Sequence, residues 1–245
     1  MRELYSFSPG ISLYLRILTF RSMNKSLLVQ ALAKFMAGII LMGLLIFIPA
    51  GSVWYWQGWL LMGVLFVPML TVGSVLVVKS PELLRKRLKS KEESKEQKAV
   101  VAISGLLFVA AFIMAGLNWR FDWLILPDWA VWAAAGVFLL SYILYAEVLR
   151  ENAYLSRVIE IQEGQKVIDT GLYGIVRHPM YMATTLLFLA MPLVLGSLIS
   201  FVIMFGYIPA IVKRIKSEEA LLQEGLEGYA DYMKHVRYRL VPFIW

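Results

Sequence analysis

Charge vanishes from this chain over long stretches, and those stretches set its elements. Residues 35–78 hold no Asp, Glu, Lys or Arg over 44 positions. A helix needs about 20 apolar residues to cross a bilayer, so this run predicts two spans. Pro49-Ala50-Gly51-Ser52 supplies the turn, and Trp54, Tyr55, Trp56 and Trp59 follow it, where half-buried rings favour the headgroup level. The expected helices cover 27–48 and 54–78. A charged connector at 79–98 leads to a third span over 99–118, and the aromatic-rich loop 118–128 leads to a fourth over 129–149. Residues 150–178 are mixed polar, with RVIEIQEGQKVIDTG reading as two short extended pieces around Glu163-Gly164. From His178 to Val212 charge is absent again, and Pro192 and Gly196-Ser197 divide that stretch into halves that are each short for a full span. It reads as a tight helical hairpin. Residues 213–245 are polar and amphipathic, and 11–20 read as a helix lying in the membrane surface. The first 26 residues do not have the pattern of a cleavable signal peptide.

Composition agrees with this pattern. The chain is 60% hydrophobic and 17% charged, against about 45–50% and about 25% in soluble domains. Disorder is excluded by the hydrophobicity. The fold expected is an all-α, polytopic transmembrane bundle in one domain, with four N-terminal spans, a C-terminal hairpin and an amphipathic C-terminal helix. With no cysteine and only His178 and His235, no thiolate chemistry is available and no metal site is expected.

The net charge of +7 changes the picture only through its placement. Lys and Arg number five in 1–34, eight in 79–98, four in 150–178 and six in 213–245, with Arg120 alone in the other loops. Excess cytoplasmic Lys and Arg orient membrane proteins, so both termini and these segments are expected at the cytoplasmic face of the cell membrane. The basic residues fit lipid rather than nucleic acid as a partner.

Three polar groups remain at that face. In TGLYGIVRHPMY (170–181), Pro179 suits the first position of a helix and pushes His178 to an extended conformation. Arg177 and His178 then sit at the mouth of a membrane-entering helix, where the dipole favours anions; a juxtamembrane stop accounts for the same residue types. Past the hairpin, Arg214, Lys216, Glu218 and Glu219 precede a stretch that reads as an amphipathic helix. Ser217 would cap it, with both glutamates in its first turn, or one carboxylate would hold a cation or a ribose diol. Glu147, Arg150, Glu151 and Asn152 end the fourth span, where ionisable groups are either functional or snorkel to the interface. The 79–98 run reads as a solvated loop, and His235, which lies among Lys234, Arg237 and Arg239, as surface.

GLYGIVRHPMY, an uncharged hairpin and then SEEALLQEGLEGYADYMKHVRYRLVPFI resemble the isoprenylcysteine carboxyl methyltransferase family and, more loosely, the membrane phospholipid N-methyltransferases. The resemblance covers about residues 145–245 and leaves 1–144 as transmembrane scaffold. It implies an integral membrane enzyme using S-adenosylmethionine, with S-adenosylhomocysteine as product and a lipophilic acceptor arriving from the bilayer. Its cofactor residues carry over to Arg177, His178, Tyr181, Glu218 and Glu219, with Gly171, Tyr173, Tyr229 and Tyr232 at the flanking positions. Gln165, Ala183 and Gly225-Leu226 depart from the family pattern and bear on the acceptor more than on the cofactor. A carboxylate acceptor needs no general base at neutral pH; Arg150 or Arg214 is expected to hold it, with Glu147 beside them as a further catalytic candidate. The rival readings are headgroup N-methylation, a nicotinamide-dependent membrane reductase, for which no G-x-G-x-x-G exists, and a non-enzymatic binding or scaffold protein.

Overall fold

The computed structural model describes residues 9–88, 95–156 and 158–245, with side chains from Ser26 onward except those of 95 and 96. It is all-α. The order is α1 (Pro9–Ala50), α2 (Trp56–Lys79), α3 (Pro81–Leu88), α4 (Lys95–Arg120), α5 (Asp128–Glu151), a 3-10 turn (Gly171–Gly174), α6 (Pro179–Val194), α7 (Leu198–Met204), α8 (Tyr207–Gly225) and α9 (Tyr229–His235). Five stretches are long and apolar enough to cross a membrane: Ser26–Ala50, Trp56–Lys79, Gln97–Arg120, Asp128–Glu151 and Leu198–Gly225. The protein is a multi-pass membrane protein.

Three sequence expectations change. Segment 11–20 belongs to the unbroken helix α1, although its side chains lie outside the described residues. Among the described residues the two extended pieces form no strand pairing: a turn closes at Gln162–Gln165, with Gly164 at φ +68°. The hairpin is asymmetric, because α6 has only 16 residues while α7 and α8 follow each other closely through a 28-residue apolar stretch.

Lipid is as apolar as leucine, so packing and small residues hold such bundles together. α4 lies against α1 and α7, and α5 runs along α6. Gly116 lets α4 touch the α1 backbone, since a Cβ there would come 2.6 Å from the Ile46 carbonyl oxygen and 2.8 Å from the Ala50 nitrogen. Ile46, Leu61, Ala115, Phe138 and Val194 fill the core between them. At the end away from the charged connectors, the Tyr55 hydroxyl donates to the Leu195 carbonyl at 2.5 Å, and the Leu126 amide donates to the Gly196 carbonyl at 2.9 Å. These bonds fix the hairpin turn, so α6 begins and α8 ends at the same face of the bundle.

Candidate active site

Helical periodicity explains the division of labour between the two glutamates. Tyr207, Ile211 and Ile215 make a buried i, i+4 stripe on α8, and Glu219 is its next member. A carboxylate only 3% exposed must be paired, and Glu219 has three partners. Arg177 Nε donates to its Oε1 at 2.7 Å, His178 Nε2 lies 3.3 Å from the same oxygen, and Arg239 Nε donates to Oε2 at 2.7 Å. Glu218, about 100° around the helix, accepts instead from the Tyr181 hydroxyl and lines a cleft.

The rest of this lock comes from the C-terminal segment. Arg177 Nη1 donates to the Val236 and Arg237 carbonyls at 2.8 and 2.9 Å. The Arg177 and His178 amides donate to the Tyr238 and Arg239 carbonyls, both at 2.9 Å. Pro179 is the first residue of α6 and His178 its N-cap, as expected. Ser217 does not cap a helix, because α8 begins ten residues earlier at Tyr207. The helix predicted after it breaks at Leu226, before Gly228 at φ +82°.

Arg177, His178, Tyr181, Glu218, Tyr173 and Tyr229 meet around the cleft. Gly171 and Glu219 support it from behind. Gly171 stands at φ +54°, and a Cβ there would fall 1.5 Å from Glu151 Oε1; Glu151 Oε2 accepts from the Leu172 amide at 3.1 Å. Asn152 Nδ2 donates to the Tyr173 hydroxyl at 3.0 Å, and the Tyr232 hydroxyl donates to the Tyr173 carbonyl at 2.7 Å. Glu151 and Asn152 thus shape the turn that delivers Tyr173. Gly171→Ala is expected to displace that turn and weaken ligand binding at the cleft at least tenfold, as a titration against wild type would show; the site has both a positive φ and no room.

The tyrosines stay protonated donors. Burial pushes the Tyr229 phenol far above its usual range, helped by the Glu219 and Glu218 carboxylates, and burial raises Tyr173 and Tyr232 as well. The Tyr229 hydroxyl is buried with no hydrogen-bond partner among the described residues, and its residue lines the cleft.

Other candidates lie elsewhere. Arg150 and Glu147 pair with each other at 2.5 Å on α5 and line no described cavity next to the cleft. Arg214 does reach the site: its Nε donates to the Tyr181 hydroxyl at 3.1 Å and its Nη1 to Gln97 Oε1 at 3.1 Å. His235 is exposed, in line with its reading as surface. Its neighbour Arg239, for which the sequence suggested no role, completes the lock; its only sequence signal is a charge just before the apolar LVPF. The connector read as a solvated loop contributes Gln97, which is buried, and α3, whose Lys86 Nζ and Arg87 Nη1 donate to the Ala153 and Ser156 carbonyls at 3.1 and 3.2 Å. Those carbonyls belong to the segment that walls the cleft.

Comparison with known proteins adds two findings. The delta(14)-sterol reductase of Mus musculus is 28% identical over 85 residues, which cover 34% of this chain and 20% of that protein. The match spans only a fifth of the relative's length. Arg177, His178, Tyr181, Arg214, Glu218 and Glu219 all fall inside the second finding: residues 129–227 match the family model for phospholipid methyltransferase (PEMT).

Proposed function

We propose that this protein is an S-adenosylmethionine-dependent methyltransferase of the cell membrane, acting on a lipophilic acceptor, with its cleft and both termini on the cytoplasmic side. The observation that carries this reading is the meeting of Arg177-His178-Pro179 with Glu218-Glu219 around a cleft that holds an unpaired buried hydroxyl. Residues 145–245 would form the methyltransferase core and 1–144 its transmembrane scaffold, within a single domain. The distribution of Lys and Arg supports the orientation.

The residues present fit this cofactor. Glu218 suits its ribose diol or ammonium, and His178 and Arg177 suit its carboxylate. Tyr229 offers a free donor. Leu221, Leu222 and Leu226 give apolar wall for the adenine, and tyrosine faces favour a sulfonium cation. When bound, the cofactor supplies an activated methyl group whose bonding pair returns to sulfur on transfer. The protein's part is then alignment and exclusion of water. Tyr181 bonds Glu218 on one side and Arg214 on the other, so it fixes the wall against which an acceptor would sit. An acceptor carboxylate, as in O-methylation of isoprenylcysteine, would require no proton removal; a phospholipid amine is the alternative.

Calorimetry of the detergent-purified protein tests the reading. S-adenosylhomocysteine is expected to bind. Glu218→Ala and His178→Ala should each weaken it about tenfold or more, the scale of a lost charge-assisted hydrogen bond, and Tyr229→Phe by a smaller factor. Arg150→Ala should leave it unchanged. The sterol reductase relative supports a second reading, a nicotinamide cofactor in the same cleft. Binding of NADPH with no binding of S-adenosylhomocysteine would establish that one instead.

A further inference from the structure

Beside the cleft, and sharing Met180, Tyr181 and Arg214 with it, a groove runs between α4, α6 and α8. Its walls are mostly apolar, and among them Phe108 and Phe188 pack on Tyr207, with ring centroids 6.4 and 5.2 Å away. Val100 to Phe108 and Tyr207 to Arg214 lie within apolar stretches long enough to span a membrane, so two walls of the groove are candidate spans.

Arg87 also lines this groove. It arrives from α3, outside the segment that matches the methyltransferase family model. The guanidinium is part-buried and stacks on Tyr145, 5.5 Å from the ring centroid. Its bonds go to the Ser156 carbonyl at 3.2 Å, to Met180 Sδ at 3.4 Å and to the Tyr145 hydroxyl. None of these partners is a carboxylate, and among the described residues Arg87 forms no ion pair. A half-buried cation without a counter-charge is unfavourable unless it meets an anion. Two of its five N–H donors remain after the bonds above.

We propose that Arg87 is an acceptor-binding residue: it supplies the counter-charge for the anionic headgroup of a lipid whose chain occupies the groove. This rests on the methyltransferase reading, and it selects lipid anions, carboxylate or phosphate, over neutral amphiphiles of the same chain. Groove and charge complement each other. The apolar side chains take the chain, Arg87 and Arg214 stand at its headgroup end, and that end shares Met180, Tyr181 and Arg214 with the cleft.

The test uses the full-length protein in a neutral detergent with three fluorescent probes: pyrene-labelled dodecanoic acid, the matching alcohol and the matching alkyl phosphate. Wild type is expected to bind the acid or the phosphate about tenfold or more tightly than the alcohol; which anion is preferred tells a carboxylate lipid from a phosphate headgroup. Arg87→Gln should abolish the preference while alcohol binding stays as in wild type. Arg87→Lys, which keeps the charge but not the fork on Tyr145 and Ser156, should retain most of it. Equal binding of all three probes to wild type overturns the proposal, as does a preference that survives Arg87→Gln. Loss of the preference in Arg87→Lys together with weakened alcohol binding assigns the residue a merely structural role and overturns it too. Binding of S-adenosylhomocysteine to wild type is measured in parallel: its absence counts against the methyltransferase reading, whereas its presence with no anion preference counts against Arg87 alone.

Discussion

Glu219→Ala is expected to cost more stability than any other single substitution in the site. The side chain holds Arg177, His178 and Arg239 at once. Its removal leaves Arg177, 7% exposed, with backbone carbonyls as the only bonded partners of its guanidinium among the described residues. Breaking a buried pair by deleting one partner costs about 3–5 kcal/mol, because the other charge is left uncompensated. The unfolding midpoint of the detergent-solubilised variant should fall accordingly. S-adenosylhomocysteine binding should be lost along with it, although Glu219 does not line the cleft, because the lock aligns α6, α8 and the C-terminal segment. Glu219→Gln keeps the shape and an acceptor oxygen but not the charge, so it should fall between wild type and alanine. A Glu219→Ala protein that unfolds at the wild-type midpoint would show that the lock contributes nothing to the fold.

The second large effect belongs to the scaffold. Gly116→Ala adds one methyl group where α4 meets the α1 backbone at Ile46 and Ala50. Backbone cannot swing aside as a side chain can, so the helices must separate. Overpacking of this kind costs about 1–3 kcal/mol, and here it opposes the gain of about 1 kcal/mol that alanine brings to a helix. Gly43 and Gly63 give the contrast within the same bundle. A Cβ at either meets nothing within 4 Å, so alanine there should leave the unfolding midpoint unchanged or raise it. Thermal unfolding of the three variants side by side separates close packing from helix propensity; equal midpoints would remove the tight α1–α4 contact from the account.

Much of the fold was legible in one dimension because bilayer crossing is a constraint on length and polarity. Charge-free runs of the right size, bounded by Trp and Tyr, gave four spans within a few residues of Ser26–Ala50, Trp56–Lys79, Gln97–Arg120 and Asp128–Glu151. The start of α6 was legible because Pro179 can occupy the first helical position and little else inside a helix. The expectation for Ser217 failed because the apolar stripe of α8 carries the helix straight through it; a good capping residue does not start a helix that already exists. The charged connector misled in another way. Composition says that Arg87 and Gln97 are hydrophilic, but not that α3 would fold back on the cleft wall.

By itself, the sequence determined that this chain is a membrane-embedded helical bundle, where its helices run, and that Arg177, His178, Glu218 and Glu219 are polar groups beside an apolar hairpin. Those are local properties, read from hydropathy and from the backbone preferences of proline and glycine. Only the tertiary structure decided which glutamate serves as a lock and which faces the cleft, that Arg239 closes the lock, and that Arg87 and Gln97 reach the site from the first half of the chain. The reason is geometric. Neighbours on a helix point about 100° apart, and pairings between residues up to 140 positions apart follow from how helices stack, which no local pattern encodes.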